Sequence, residues 1–189
     1  MEYYALRDGP VTLFLIIGVL ARLSTVAFST FLVALLVVRV TPVSKSVGFM
    51  PRATALLGTF LAISFLLLPR EQLSPLPTLI AIAFIVIGMS LSIYTLAWLG
   101  RSFSIMPEAR RLVTNGPYTH VCHPLYAFEE IAMVGTAMQF VQPWSLLLLL
   151  VHFMLQLARM GYEENVLAEA FHDYAAYAAR TARLIPEVY

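Results

Sequence analysis

Residues 11–38 are 28 consecutive residues with a single charge among them, Arg22. An α-helix rises about 1.5 Å per residue, so this stretch exceeds the ~30 Å hydrocarbon core of a bilayer. A helix satisfies its backbone hydrogen bonds internally, and a run with no polar face has no use for water; spanning a membrane is its natural state. Four more apolar stretches follow, at 53–68, 76–99, 124–140 and 143–158, and the last continues as a polar helix beyond Arg159. Charged residues make up only 12% of the chain, where a soluble domain carries about 25%. The fold expected is an all-α integral membrane protein with about five transmembrane helices. Residues 1–99 supply three of them; residues 100–189 supply a loop, a helical hairpin at 124–158 and a C-terminal helical segment that covers a pocket.

Charge placement orients the bundle. The connection after the first stretch holds Arg39, Lys45 and Arg52, and the segment 100–123 holds Arg101, Arg110 and Arg111. The tail holds Arg159, Arg180 and Arg183, whereas the turn after the fourth stretch holds no charge and the connection at 69–75 only Arg70 and Glu71. Basic residues favour alternate connections, and basic loops stay in the cytoplasm. Five crossings then put the N-terminus outside and the C-terminus inside. The first ten residues carry Glu2, Arg7 and Asp8, which do not make the positive leader of a signal peptide. A net charge of +1 argues against a nucleic-acid partner. One cysteine, Cys122, allows no internal disulfide.

Only 100–123 and 159–189 are polar enough to carry chemistry, and both fall on the cytoplasmic side. In the first, Asn115-Gly116-Pro117 is a turn in which Gly116 is free to take positive φ. Pro124 suits the first position of a helix and holds His123 extended before it. His123 and Tyr126 then sit at the mouth of the fourth helix, either as an interfacial hydrogen-bonding group or as part of an anion-binding site. Glu129 and Glu130 lie one to two turns inside that apolar helix. A carboxylate there either reaches the headgroups or faces a protein interior, and Glu129 shares a face with Tyr126 and Met133. Arg159 and Glu163 are four apart and suited to pair on one helical face. His120, Cys122 and His123 have no second cluster to complete a metal site. No Gly-X-Gly occurs anywhere, which excludes a Rossmann nucleotide fold.

In order and spacing, Gly100-Arg101-Ser102-Phe103-Ser104, Leu112-Val113-Thr114-Asn115-Gly116-Pro117-Tyr118, His123-Pro124-Leu125-Tyr126, Glu163-Glu164-Asn165 and Phe171-His172-Asp173-Tyr174 resemble the isoprenylcysteine carboxyl methyltransferase family and its phospholipid methyltransferase relatives. The likeness runs from Gly100 to Glu187. It implies a methyltransferase of a bacterial inner membrane that uses S-adenosyl-L-methionine. By position, Leu112, Val113, Tyr118, His123, Leu125, Tyr126 and Glu163 correspond to cofactor contacts. Arg159 corresponds to the arginine that grips a substrate carboxylate, with His123 and Glu129 beside it. The implied partner is a lipophilic or lipidated small molecule dissolved in the bilayer. Cys122 stands where that family has an arginine, and Phe128 where glycine is common. Membrane sterol reductases share this helical core and would take NADPH instead; a cofactor-free scaffold would bind neither.

Overall fold

The computed structural model describes residues 13–185. The expected start of the first helix at Val11, the charges at Glu2, Arg7 and Asp8, and the closing Pro186 and Glu187 lie outside the described residues. The helices are α1 (Leu13–Val38), α2 (Phe49–Phe60, prolonged as a 3₁₀ helix over Leu61–Leu67), α3 (Pro75–Leu99), α4 (Pro124–Ala137), α5 (Trp144–Ala170) and the short α6 (Tyr174–Ala178). Two-residue strands, β1 (Ser44–Lys45) and β2 (Glu108–Ala109), pair antiparallel between the loops. Among the described residues, Leu15–Val38, Phe49–Leu67, Pro75–Ser102 and Trp144–Ala170 are long and apolar enough to cross a membrane. Their outward faces carry exposed Leu23, Val33, Val37, Leu66, Leu146 and Met154, which suits contact with lipid tails.

The expected fifth crossing is shorter than the sequence implies. α4 has 14 residues, about 21 Å of helix, short of the about 20 residues of a full-length spanning helix. Its continuation leaves the helix because the backbone there bonds sideways. Glu71 N donates to Gln139 O at 3.0 Å and Val141 N to Pro69 O at 3.1 Å, tying the α4–α5 turn to the α2–α3 connection. At the opposite end, Val40 N donates to Arg101 O at 3.0 Å and Val43 N to Ala109 O at 2.7 Å. Cys122 N and His123 N donate to Ala182 O and Arg183 O, at 2.8 and 3.1 Å. The chain therefore changes ends at each helix, and every long polar segment gathers at one end of the bundle.

Prolines open two of these helices, Pro75 in α3 and Pro124 in α4, where a missing N–H costs nothing. α3 and α4 lie antiparallel and unusually close. A Cβ added at Gly88 would fall 2.5 Å from Ala132 N, and one at Gly135 would fall 2.4 Å from Ala81 O. Each helix thus presents a glycine to the other's backbone. Without a hydrophobic drive between helices in lipid, such close backbone packing is what holds them together. α1 packs on α3, and α2 packs on α5. Between the two pairs lies a cavity.

Candidate active site

The cavity has a volume of about 430 Å³, within the ordinary range for small-molecule sites. Nine candidate site residues line it: Leu112, Val113, Tyr118, His123, Leu125, Tyr126, Glu129, Arg159 and Glu163. They come from three elements. The loop between α3 and α4 brings Leu112, Val113 and Tyr118; the first turns of α4 bring His123 to Glu129; α5 brings Arg159 and Glu163. As the Asn-Gly-Pro turn requires, Gly116 has φ +63°, and the Trp98 ring packs where a Cβ would sit, 2.4 Å away.

Arg159 is the centre of the site. It is 5% exposed and does not pair with Glu163 as the i,i+4 spacing suggests. Its Nη1 donates to Gln156 Oε1 at 2.9 Å and its Nη2 to Ile105 O at 3.2 Å. Its guanidinium lies 5.0 Å above the Tyr126 ring. Burial explains the difference: a solvated pair along the helix is worth a few tenths of a kcal/mol, whereas a guanidinium removed from water takes whatever acceptors the interior offers. Its Nε stays buried without a hydrogen-bond partner. The residue nonetheless lines the cavity, and a guanidinium in a cavity wall is a place for an anion. α2 leaves room for it through Gly58, whose Cβ would lie 2.9 Å from Arg159 Cδ.

Glu163 instead accepts a hydrogen bond from the Tyr126 hydroxyl, and its Oε2 lies 4.0 Å from His123 Nδ1. His123 is oriented by Glu164, which the sequence shows as part of a motif but without a role of its own. Glu164 Oε1 meets His123 Nε2 at 2.9 Å and accepts from Arg183 Nε at 2.6 Å. Glu164 so ties the tail, the start of α4 and the end of α5 to one oxygen. Gln156 was also missed. Its Nε2 donates to Glu129 Oε2 at 2.9 Å while its Oε1 accepts from Arg159, so one amide links the half-buried acid to the buried cation. Deeper along α5, His152 Nδ1 meets Glu130 Oε1 at 2.6 Å. A sequence signal existed for both: His152, Gln156 and Arg159 recur at i, i+4 and i+7 in an otherwise apolar helix.

The tail closes the polar end of the cavity. Tyr174 and Tyr177 line it, and the Tyr177 hydroxyl donates to Tyr118 O at 2.8 Å. Burial pushes the Tyr118, Tyr174 and Tyr177 phenols well above the usual tyrosine range, with the Glu163 carboxylate adding to Tyr118 and the Glu164 carboxylate to Tyr174. All three stay protonated hydrogen-bond donors at neutral pH. Burial likewise pushes the Cys122 thiol up. Its sulfur faces Thr181 O at 3.8 Å, on the inner side of the tail.

Residues 76–174, just over half of the 189-residue chain, match the phospholipid methyltransferase family. The cobalt-zinc-cadmium resistance protein CzcN of Cupriavidus metallidurans is 35% identical over 78 residues, which are 41% of this chain and 36% of that protein. The chain thus aligns with about a third of the length of this curated relative. The family match takes in α3, the loop, α4, α5 and the first residue of α6, and so nearly all of the cavity's polar wall. By that match the chain belongs to the phospholipid methyltransferase family, one of the group of membrane methyltransferases of the isoprenylcysteine carboxyl methyltransferase type.

Proposed function

We propose that this protein is an S-adenosyl-L-methionine-dependent membrane methyltransferase acting on a lipophilic acceptor, and that the acceptor group is a carboxylate. One observation carries the proposal: the buried Arg159 side chain on the wall of a cavity that reaches from the polar end into the apolar bundle. The cavity fits the cofactor the family implies. Tyr118, Leu112, Val113 and Leu125 offer an apolar and aromatic wall to a nucleoside, and Glu163 and His123 offer polar atoms beside it. When bound, S-adenosylmethionine would supply an electrophilic sulfonium methyl group, and a carboxylate acceptor, already ionised at neutral pH, would need no base.

What this chain does is therefore alignment. Arg159 holds the acceptor anion at a fixed place, and Gln156 and Ile105 O hold Arg159. Glu164 keeps the His123 ring in position at the cofactor wall, and Tyr126 does the same for the Glu163 carboxylate. The buried aromatic and apolar walls exclude water. Positioning of this kind accounts for several orders of magnitude in rate. Phe28 and Leu32 of α1 and Thr59 and Phe60 of α2 line the side of the cavity between the two helix pairs, which supports entry of the acceptor from the bilayer. The clustering of Arg39, Lys45, Arg101, Arg110 and Arg183 at the cavity's end supports a cytoplasmic active site.

A second reading has its own observation. Glu129 sits on the same wall, one amide away from Arg159, so an acceptor amine would find a base there while its own anionic group met Arg159. Calorimetry on the detergent-solubilised protein tests the class of cofactor. S-adenosylhomocysteine should bind and NADPH should not; binding of NADPH alone refutes the proposal. Glu163→Ala should weaken S-adenosylhomocysteine binding, while Arg159→Ala should preserve it and lower turnover by about 10²-fold or more. The opposite pattern refutes the assignment of roles.

A further inference from the structure

α5 enters the bundle as a lipid-facing helix, yet its inner face carries a histidine two turns deeper than Arg159. His152 is 4% exposed and lines the cavity, and its Nδ1 meets Glu130 Oε1 at 2.6 Å. Glu130 is not on the cavity wall. Removing a carboxylate and an imidazole from water at this depth is costly, and two apolar residues of similar size would hold the same helices together at least as well. The pair is therefore poorly explained by packing. It does, however, do something specific to the imidazole. The carboxylate at Nδ1 fixes the ring, and in the tautomer that donates Nδ1–H to Glu130 the Nε2 lone pair is the acceptor. Among the described residues nothing hydrogen-bonds to Nε2, and Nε2 is not one of the buried polar atoms sealed without a partner.

Seven residues along one helix separate His152 from Arg159, or about 10 Å. The cavity lining also includes apolar Phe60, Ala62 and Met133, and between the two residues Gln156 bonds to Glu129 on the same wall. We propose that His152 Nε2 is a second binding point for the acceptor, taking a hydrogen bond from a hydroxyl or N–H group embedded in the acceptor's hydrophobic part, about 10 Å from the group held by Arg159. The acceptor is then a hydroxylated or amide-bearing amphiphile and not a plain hydrocarbon tail with a polar end. The inference rests on the proposed role of Arg159 and adds a specificity element to it. A site built around a buried acceptor discriminates strongly against a ligand that leaves it unmatched.

The test uses binding, so it does not depend on turnover. Solubilised protein saturated with S-adenosylhomocysteine is titrated calorimetrically with a saturated fatty acid and with its isomers hydroxylated along the middle of the chain. One isomer should bind about tenfold or more tightly than the parent acid. In the double variant His152→Leu/Glu130→Leu, which leaves no lone buried charge, that isomer and the parent acid should bind alike. Equal affinity of wild-type protein for every isomer and the parent overturns the proposal, and so does a preference that survives the double substitution or a failure of all the acids to bind. The wild-type series alone decides the matter if the double variant does not fold. Loss of S-adenosylhomocysteine binding in wild-type protein would instead mark failure of the methyltransferase reading.

Discussion

Gly58→Ala should separate catalysis from folding. The new Cβ would stand 2.9 Å from Arg159 Cδ, 3.5 Å from its Nη1 and 3.4 Å from Gln156 Oε1. Carbon atoms in contact settle at about 3.5–4.0 Å, so the Arg159 side chain must retreat by about 0.6–1 Å. It is free to do so, because the atom met is part of a flexible side chain and not backbone. The fold loses little, and replacing a mid-helix glycine adds up to about 1 kcal/mol of helix propensity. The reaction loses much more, since misplacing a reacting group by about 1 Å costs about 10²-fold. Transfer of labelled methyl from S-adenosylmethionine into membrane lipid should fall by about 10- to 100-fold. Denaturation temperature in detergent and S-adenosylhomocysteine affinity should hold or rise. Undiminished transfer by a stable Gly58→Ala protein would show that the position of the Arg159 guanidinium does not matter, and would refute the alignment argument.

Two further predictions concern packing and reactivity. Gly88→Leu forces backbone atoms of α3 and α4 apart and should destabilise the bundle by about 3 kcal/mol, read as a lower denaturation temperature. Gly18→Leu, on α1 with nothing within 4 Å, should leave that temperature unchanged. At Cys122 the raised thiol pKa means less thiolate at any given pH, so alkylation by iodoacetamide should be slower than for a free cysteine. Its pH midpoint should lie above that of a free thiol, and a midpoint at or below it would contradict the burial argument.

Much of this architecture is legible in the sequence because the solvent is a bilayer. With so few charges, each apolar run reads as a helix, and Pro75 and Pro124 fix two of the starts. The Asn-Gly-Pro turn and the alternation of basic connections are equally plain. Contacts between segments far apart in the chain are not. α4 ends early because Gln139 and Val141 bond to the 69–71 stretch, a pairing that no local pattern announces. β1 and β2, at two residues each, are too short to show alternation. Arg159 was assigned Glu163 by a spacing rule for solvated helices, whereas its partners in the interior are Gln156 and a carbonyl 54 residues away. Gln156, His152 and Glu164 went unread for a simpler reason. Their helical spacing marks His152 and Gln156 as one face with Arg159, but their acidic partners Glu130 and Glu129 lie on α4, and Glu164 bonds to His123 and Arg183, so spacing alone gives no role.

The account turns on methyl transfer to a carboxylate held by Arg159, and one measurement addresses it directly. Membranes containing the protein are incubated with S-adenosylmethionine labelled in its methyl group, extracted into organic solvent and treated with mild base. A methyl ester releases its label as volatile methanol under those conditions, and an N-methyl group does not. Lipid-soluble label should become volatile with base and should be lost in Arg159→Ala membranes. Label that stays fixed through the base treatment would contradict the carboxylate and favour the amine reading at Glu129, and label transfer that is undiminished in Arg159→Ala would contradict the site itself.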